Sequence, residues 1–309
     1  MTAGSAPARQ DHHENGVHVT TGNGETAWLS TAVGTSWTPP EIDFTKPQTA
    51  RMYDYFLGGK DHYAPDRETA RQVEKVWPTV SQAARGNRLF MNMAVERLAK
   101  AGIDQFLDVG TGIPTSPNVH QIVQREQPGA HILYTDHDPV VLAHARALMN
   151  STEQGRIDYI QGDLRQPEGI LGHPCLAGPE PVLDFGRPVA LTLLAITHFI
   201  THEDDPERII GTLMDPLPSG SHLILSHITD EYAPEQVEAT ARLYRSQGLP
   251  AQARTGKQLV ELLDALGLEL LPPGVLPVSR WTPDTSDEPP TPLYTDAEAS
   301  LVGLIARKP

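Results

Sequence analysis

The spacing of apolar residues changes once along the chain, near residue 102. Between residues 42 and 101, apolar side chains recur three and four positions apart, as in “RETARQVEKVWPTV” and “RGNRLFMNMAVERLAKAG”. This period is typical of amphipathic helices, and Gly102 is suited to end the last one. The first forty residues have few aliphatic side chains and no period, so we expect residues 1–40 to be a disordered tail.

After residue 102, short apolar runs alternate with helical periods, which predicts βαβ units and a mainly parallel α/β sheet. “LELLPPGVLPVSRW” and “ASLVGLIARK” then predict two late strands that form a β-hairpin at the sheet edge, joined by a mobile loop at 282–297. We expect a helical cap at 41–101 and a core with a C-terminal β-hairpin at 102–309. The predicted strands are 105–110, 130–136, 157–163, 188–195 and 221–227, and the predicted helices are Val119–Arg125, Val140–Met149, Glu207–Met214, Pro234–Ser246 and Gly256–Leu266.

Composition narrows the classes of function. The formal net charge of −15 argues against a general surface for nucleic acid or anionic membranes, since both favour clustered Lys and Arg. The longest apolar run, Val189–Ile200, is too short to span a bilayer, and no signal peptide is visible. A single cysteine, Cys175, leaves no disulfide framework and no Cys-rich zinc site. We expect a cytoplasmic protein without a bound metal.

The segment “FLDVGTGIPTS” is the strongest local signal for a ligand site. Asp108 ends the first predicted strand, Gly110 and Gly112 allow a sharp turn, and Ser116 could cap the next helix. Thr115 stands where the third glycine of a dinucleotide fingerprint would lie. An acid at this strand end repels a pyrophosphate and suits a cationic ligand, which disfavours NAD and favours an adenosyl cofactor with an amino group and a sulfonium. An ordinary tight turn is the alternative interpretation.

Two more acids end the next two predicted strands. Asp136 follows the second glycine by 24 residues, which fits an acid about 20 residues on that binds ribose hydroxyls. Asp138 is a rival, although Asp138–Pro139 is better placed to start a helix. Asp163, in “QGDL”, could accept a hydrogen bond from an adenine amino group. Each acid alone is compatible with an ordinary loop end, but three at consecutive strand ends favour a ligand site.

Four stretches carry a resemblance to a known family: “ARMYDYFLGGKDHYAPDR”, “FLDVGTGIPTSPNVH”, “YTDHDPVVLAHARALM” and “GVLPVSRWTPD”. Over about residues 41–309 the chain resembles class I S-adenosylmethionine-dependent methyltransferases. More narrowly, it resembles a bacterial, actinobacterial-type S-adenosyl methyltransferase family that was first catalogued as a domain of unknown function. The resemblance implies a Rossmann-like, seven-stranded sheet of order 3-2-1-4-5-7-6 with strand 7 antiparallel. It also implies S-adenosylmethionine as cofactor and S-adenosylhomocysteine as product, while the family's substrates are largely unassigned.

The resemblance also implies roles for residues at matching motif positions. Gly110 and Gly112 would line the methionine part of the cofactor, and Asp108 would serve its amino group. Asp136 would hold the ribose and Asp163 the adenine. The full set of predicted cofactor contacts is Arg88, Asp108, Gly110, Thr111, Gly112, Asp136, His137, Asp163, Leu164 and Ala195.

Strand four supplies candidates for the reaction itself. “LLAITHFI” puts His198 and Phe199 just past the strand, near the expected methyl group. His198 is the candidate catalytic base, since histidine can take a proton near neutral pH. A structural histidine is at least as compatible with the pattern, because methyl transfer can proceed by positioning and desolvation alone.

The stretch “YDYFLGGK” is a second candidate for contact with the substrate. Aromatic side chains there, with Gly58 and Gly59 for close backbone approach, could wall a substrate pocket or meet a sulfonium by cation–π attraction. Lys60, Arg85 or Arg88 could pair with the cofactor carboxylate, and Arg88 is favoured over Lys60 because arginine suits a bidentate role better. The alternative is an apolar core within a helical subdomain, with the cations on the surface. The predicted pocket residues are Tyr53, Phe56, Gly58, Gly59 and Phe199, with Tyr55 and Tyr63 as further aromatic candidates.

The sequence therefore predicts a methyltransferase that acts on a small molecule, with no nucleic-acid or membrane partner. A protein that binds the cofactor or its product without methyl transfer is the main alternative. An NAD(P) oxidoreductase is disfavoured by Thr115 and Asp108. The chain also lacks the N/D-P-P-Y/F tetrapeptide of amino-methylating enzymes, and its oligomeric state is not predicted.

Overall fold

The computed structural model describes Met1, residues 42–283 and residues 294–309. The predicted tail at 1–40 and most of the predicted loop at 282–297 thus lie outside the described residues. The described part from residue 42 onward belongs to one compact unit. The boundary expected near residue 101, between a helical cap and a core, stays a prediction.

Three helices precede the sheet, as the apolar period predicts: α1 (Thr49–Leu57), α2 (Ala64–Val76) and α3 (Val80–Lys100). Phe90, Ala94 and Leu98 of α3 lie four residues apart and are all buried, so one face of this helix packs against the sheet. Gly102 has a φ of +94°, which lets the chain turn after α3. A separate apolar cluster joins α1, α2 and the start of α3.

One mixed sheet of eight strands forms the centre of the fold, in the order β3-β2-β1-β4-β5-β8-β6 with β7 also paired to β8. β1 to β5 are parallel, and β8 runs antiparallel to β5, β6 and β7. The implied Rossmann-like order is confirmed, with β8 in the place of the implied strand 7. The implied strand 6 is divided into β6 and β7 around Pro272–Pro273–Gly274, because proline cannot donate to the ladder. The strands are β1 (Gln105–Val109), β2 (His131–Asp136), β3 (Arg156–Gln161), β4 (Ala190–Leu194), β5 (His222–Ile228), β6 (Glu269–Leu270), β7 (Leu276–Pro277) and β8 (Leu301–Arg307).

The central strands are buried on both faces, as is usual for parallel sheets. In β1, Leu107 packs into one large apolar cluster and Phe106 into another, so alternate residues fill opposite sides of the sheet. The carboxyl ends of β1, β2 and β4 consequently meet along one edge. The remaining helices are α4 (Val119–Glu126), α5 (Pro139–Leu148), α6 (Pro167–Leu171), α7 (Pro174–Ala177), α8 (Pro206–Met214), α9 (Pro234–Ser246), α10 (Gly256–Ala265) and α11 (Asp296–Ala299), with single 3-10 turns at Thr197–Phe199 and His202–Asp204.

One predicted helix cap differs from the structure. Ser116 does not cap α4, which begins after Asn118, whose backbone amide donates to Gln121 Oε1 at 2.8 Å. Pro117 separates Ser116 from the helix and has no amide to cap. The predicted start of α5 is confirmed, since Asp138 Oδ1 accepts from the Val140 amide at 2.9 Å.

Candidate active site

A cavity opens at the carboxyl edge of the sheet, between the loops after β1, β2 and β4 and the helices α1, α3 and α9. It gathers most of the predicted site residues from distant parts of the chain. Those in its lining are Tyr53, Phe56, Arg88, Asp108, Gly110, Thr111, Gly112, Asp136, His137, Ala195, His198 and Phe199. Four predicted site residues are not in it: Gly58, Gly59, Asp163 and Leu164.

Asp108 is a buried carboxylate at the end of β1. The Thr192 hydroxyl of the neighbouring β4 donates to its Oδ1. Among the described residues, none forms an ion pair with it. The pKa of Asp108 is raised to about 6, mainly by burial, although the Thr192 hydrogen bond and the nearby Arg88 oppose the shift. A buried acid without a cation favours a positively charged ligand group, so Asp108 fits an amino group.

Asp136 ends β2, and both of its oxygens accept one backbone hydrogen bond. Oδ2 accepts from the Gly112 amide at 2.9 Å and Oδ1 from the Asp138 amide at 2.9 Å. Burial raises the pKa of Asp136, and the nearby His137 opposes this shift. Since each carboxylate oxygen has further lone pairs, Asp136 can also accept hydrogen bonds from a pair of ligand hydroxyls.

The two glycines of the loop after β1 share a backbone conformation but differ in how much space surrounds them. Gly110 and Gly112 have φ values of +77° and +68°, which side chains rarely adopt. A Cβ atom on Gly110 would lie 2.0 Å from Ile196 Cδ1, so the loop is packed there. A Cβ atom on Gly112 would meet nothing within 4 Å. The backbone at Gly112 is therefore open to the cavity. We call Asp108, Asp136 and this loop the acidic end of the cavity.

Arg88 of α3 stabilises the same loop through hydrogen bonds. Its Nη2 donates to the Thr115 carbonyl oxygen at 2.5 Å and to the Pro117 carbonyl oxygen. It also lines the cavity, whereas the two rival cations, Arg85 and Lys60, are exposed and are not among the described lining residues. Arg88 thus lines the cavity, while its pairing with the cofactor carboxylate stays a prediction.

Aromatic side chains line the other end of the cavity, and we call this region the aromatic end. Its residues are Tyr53, Phe56, Trp77, Phe199 and Tyr244. Phe56 and Trp77 belong to the apolar cluster of α1–α3, and the rings of Tyr53 and Tyr244 pack against that cluster. The Phe199 ring lies 5.6 Å from the Tyr244 ring, centroid to centroid. Sequence reasoning missed Trp77 and Tyr244, because a tryptophan or tyrosine on an amphipathic helix looks like an ordinary core residue.

His198 lies in the 3-10 turn after β4, with its ring 4.3 Å from the Phe199 ring. Burial, followed by the nearby His227 and Arg254, lowers the pKa of His198 well below its ordinary value. Its Nδ1 has no hydrogen-bond partner among the described residues. His198 is therefore an uncharged imidazole with unused hydrogen-bonding capacity at the aromatic end.

A chain of hydrogen bonds connects α1 to the end of β4, and we call it the Tyr53–Ala195 relay. The Tyr53 hydroxyl donates to the Ala84 carbonyl oxygen at 3.0 Å and accepts from Asn87 Nδ2 at 2.9 Å. Ser226 Oγ donates to Asn87 Oδ1 at 2.6 Å and accepts from the Ala195 amide at 2.8 Å. Ala195 has a φ of +52°, an unfavourable value for alanine, and the relay holds it there.

Asn87 and Ser226 were not predicted as site residues. Both are buried, although each interrupts an apolar pattern, Asn87 on the packed face of α3 and Ser226 inside “HLILSHI”. Buried polar side chains need partners. This interruption was the available signal, but it does not identify the partner.

Arg51 is a further residue that the motifs did not identify. Its Nε donates to Asp138 Oδ2 at 2.8 Å and its Nη2 to Asp138 Oδ1 at 3.1 Å. The two side chains are 2% and 1% exposed, so this bidentate ion pair is fully buried. Because the Asp138 amide donates to Asp136, the pair ties α1 directly to the acidic end.

Gly58 and Gly59 correct the expectation that their amides approach a ligand. The amide of Gly58 donates to the Tyr55 carbonyl oxygen and that of Gly59 to the Asp54 carbonyl oxygen, which ends α1. A Cβ atom on Gly59 would lie 1.9 Å from Asp54 Oδ1. The glycine pair thus makes room for the buried Asp54 carboxylate, which also accepts from the Asp61 amide at 2.9 Å.

Asp163 and Leu164 lie just beyond β3, which ends two residues earlier than predicted. The carboxylate of Asp163 pairs with Arg165 Nη2 at 2.9 Å, and its role toward adenine stays a prediction. Leu164 is buried in the large apolar cluster beside the sheet. Its role as a cofactor contact stays a prediction.

The strand order, the G-x-G loop and the two buried strand-end acids define a class I S-adenosylmethionine-dependent methyltransferase. The chain belongs to the S-adenosyl methyltransferase family, whose model matches residues 35–309, and its cofactor is S-adenosylmethionine. A DUF574 family protein from Streptomyces avermitilis is 43% identical, with a TM-score of 0.80 over 87% of this chain and 100% of that one. A candidate methyltransferase from Thermobifida fusca is 36% identical, with a TM-score of 0.77 over 89% of this chain and 99% of that one. No curated protein matches the chain.

Two further findings concern the described residues alone. None of their helices is both long and apolar enough to cross a membrane. No group of three or more His, Cys, Asp or Glu side chains among them is arranged to hold a metal ion.

Proposed function

We propose that the protein transfers a methyl group from S-adenosylmethionine to a small molecule bound at the aromatic end of the cavity. The observation that carries the proposal is the continuity of one cavity, which runs from the two buried acids to a wall of rings. Asp108 and Phe199 line the same space although they come from different strand ends.

The acidic end supplies the contacts to the cofactor. Asp108 holds the amino group, because a buried carboxylate without a cation gains most from one. Asp136 accepts the ribose hydroxyls, and the open backbone of Gly112 lets the methionine part approach. His137 and Ala195 border the same space. When bound, the cofactor supplies an electrophilic methyl group on a sulfonium.

The aromatic end positions the acceptor and excludes water. His198 is uncharged near neutral pH and holds a proton poorly, because its pKa is lowered by burial. We therefore assign it hydrogen bonding to the acceptor rather than proton storage. The rate then depends on in-line positioning and desolvation, in which the rings of Phe56 and Phe199 take part.

A binding protein that does not transfer methyl groups is the second candidate. The strain at Ala195 and the unpartnered Nδ1 of His198 favour transfer, since a pure binding site has no need of either at the end of β4.

The test measures S-adenosylhomocysteine production with methyl-labelled cofactor and a fractionated small-molecule extract. We expect label transfer that depends on the extract and is lost in Asp136→Ala but kept in Arg85→Ala, which changes an exposed cation outside the cavity lining. Cofactor binding without any turnover across all fractions would support the second candidate instead.

A further inference from the structure

We infer that the acceptor is an uncharged aromatic molecule that carries a hydroxyl group. This inference rests on the proposed function for the transfer itself and goes beyond it by naming the chemistry of the acceptor. It follows from how charge, ring surface and free hydrogen-bonding groups are divided along the cavity.

Charge is confined to one end. The charged side chains among the described lining residues are Arg88, Asp108 and Asp136. Both acids belong to the acidic end, and the Arg88 guanidinium is turned to carbonyl oxygens of the loop after β1. A charged acceptor at the aromatic end would lose its hydration without gaining an opposite charge, which is unfavourable. The acceptor is therefore uncharged.

The polar atoms of the Tyr53 and Trp77 side chains already form hydrogen bonds within the protein. The Tyr53 hydroxyl takes part in the Tyr53–Ala195 relay. Trp77 Nε1 donates to Thr79 Oγ1 and to the Glu298 carbonyl oxygen, both at 3.1 Å. These two residues, together with Phe56, offer the cavity apolar ring surface. Such surfaces favour flat, aromatic ligands, which stack on them or meet them edge to face.

Two hydrogen-bonding groups remain free beside these rings. His198 Nδ1 has no partner among the described residues, and the Tyr244 hydroxyl makes no hydrogen bond to them either. Burial raises the pKa of Tyr244, so its hydroxyl stays protonated and can donate. An uncharged imidazole can accept from a ligand hydroxyl, and Tyr244 can donate to the same oxygen. A hydroxyl on the acceptor satisfies both.

The transfer balances without a further reactant. The methyl carbon leaves sulfur, which keeps the bonding electron pair, and forms a bond to the acceptor oxygen. The hydroxyl proton moves onto His198 Nδ1, which accepts the hydrogen bond from the hydroxyl, and passes to bulk water when the product leaves, because the buried imidazole does not retain it at neutral pH.

The experiment compares three probes that share one ring system: 2-naphthol, 2-naphthoate and 2-naphthylmethylamine, which are uncharged, anionic and cationic near neutral pH. Binding is measured by calorimetry on the full chain saturated with S-adenosylhomocysteine. We expect 2-naphthol to bind at least tenfold more tightly than either ion. We expect Phe199→Ala to weaken it at least fivefold and Tyr244→Phe about threefold, while Arg85→Ala leaves it unchanged.

Three results would overturn the inference. In the first, either ion binds as well as 2-naphthol. In the second, S-adenosylhomocysteine binds but no ring probe does, which leaves the proposed function standing while the acceptor class fails. In the third, Tyr244→Phe, a change of one oxygen that keeps the packing, has no effect. Failure of S-adenosylhomocysteine to bind would instead overturn the proposed function, and the inference with it.

Discussion

The two ends of the cavity are built on different principles. At the acidic end, Asp108 and Asp136 lie at the ends of the consecutive strands β1 and β2, Gly112 follows β1, and backbone amides orient the carboxylate of Asp136. At the aromatic end, the rings come from three helices and one strand-end turn, and ring packing positions them. A cofactor common to a family suits contacts fixed by the backbone, whereas a wall of side chains can change acceptor by substitution without moving the sheet.

The largest expected effect concerns the support of the acidic end. Arg51→Met leaves the Asp138 carboxylate buried without its cation, which should lower the free energy of unfolding by about 3–5 kcal/mol. Urea titration measures this loss. Arg85→Met, an exposed cation of α3, is the matched control and should change stability by less than about 0.5 kcal/mol. Equal, small effects of both changes would mean that α1 does not support this end.

Loss of the ribose acid should affect binding strongly. Asp136→Ala removes the buried acceptor of two hydroxyls, and affinity for S-adenosylhomocysteine should fall by about 1.5–3 kcal/mol by calorimetry. Asp163→Ala should cost less, since that carboxylate is already paired with Arg165. A larger loss in Asp163→Ala than in Asp136→Ala would reverse our ranking of the two acids.

The pH dependence of binding tests the charge of the acidic end. Because the pKa of Asp108 in the unbound protein is raised to about 6, this carboxyl becomes protonated as the pH falls below that value. The ligand ammonium requires the ionised form, so affinity should fall by up to about tenfold per pH unit between pH 6 and 5. Asp108→Asn should bind more weakly at pH 8 and show a flatter profile, with Asp136 accounting for the remaining slope. Identical slopes in the two proteins would contradict the assignment.

The smallest expected effect separates the contribution of the Tyr53 ring from that of its hydroxyl at the aromatic end. Tyr53→Phe keeps the ring and removes one link of the Tyr53–Ala195 relay, so stability should fall by about 1 kcal/mol with little change in 2-naphthol binding. Tyr53→Ala should weaken binding of the cofactor product or the ring probe more than it lowers stability. Thermal unfolding and calorimetry on the two variants give both quantities. If Tyr53→Ala only destabilises the protein, its ring is structural.

Local signals in the sequence predicted the five parallel strands and the two acids at their ends, whereas the strand order followed from the family resemblance and the division of the sixth strand into β6 and β7 was not predicted. Asp108 and Asp136 stand at strand ends that the apolar pattern reveals, and the strand order places them together. The short helices α6 and α7 escaped prediction because five and four residues are too few to show a period.

Long-range pairing accounts for what the sequence did not reveal. Ser226 and Asn87 are 139 residues apart, and Arg51 and Asp138 are 87 apart. No local pattern identifies such partners. Gly58 and Gly59 show the opposite error, since a double glycine looks the same whether it ends a helix or borders a ligand.

The buried pair of Arg51 and Asp138 limits how this protein can be engineered. The helices α1–α3 resemble an exchangeable addition to a common sheet, yet they supply Arg51 and Arg88 to one end of the cavity and Tyr53 to the other. A graft of these helices from a relative would remove the only described cation that neutralises Asp138, unless it brought a matching arginine. Swapping acceptor specificity is therefore more practical residue by residue at Phe199 and Tyr244 than by exchange of the whole helical segment.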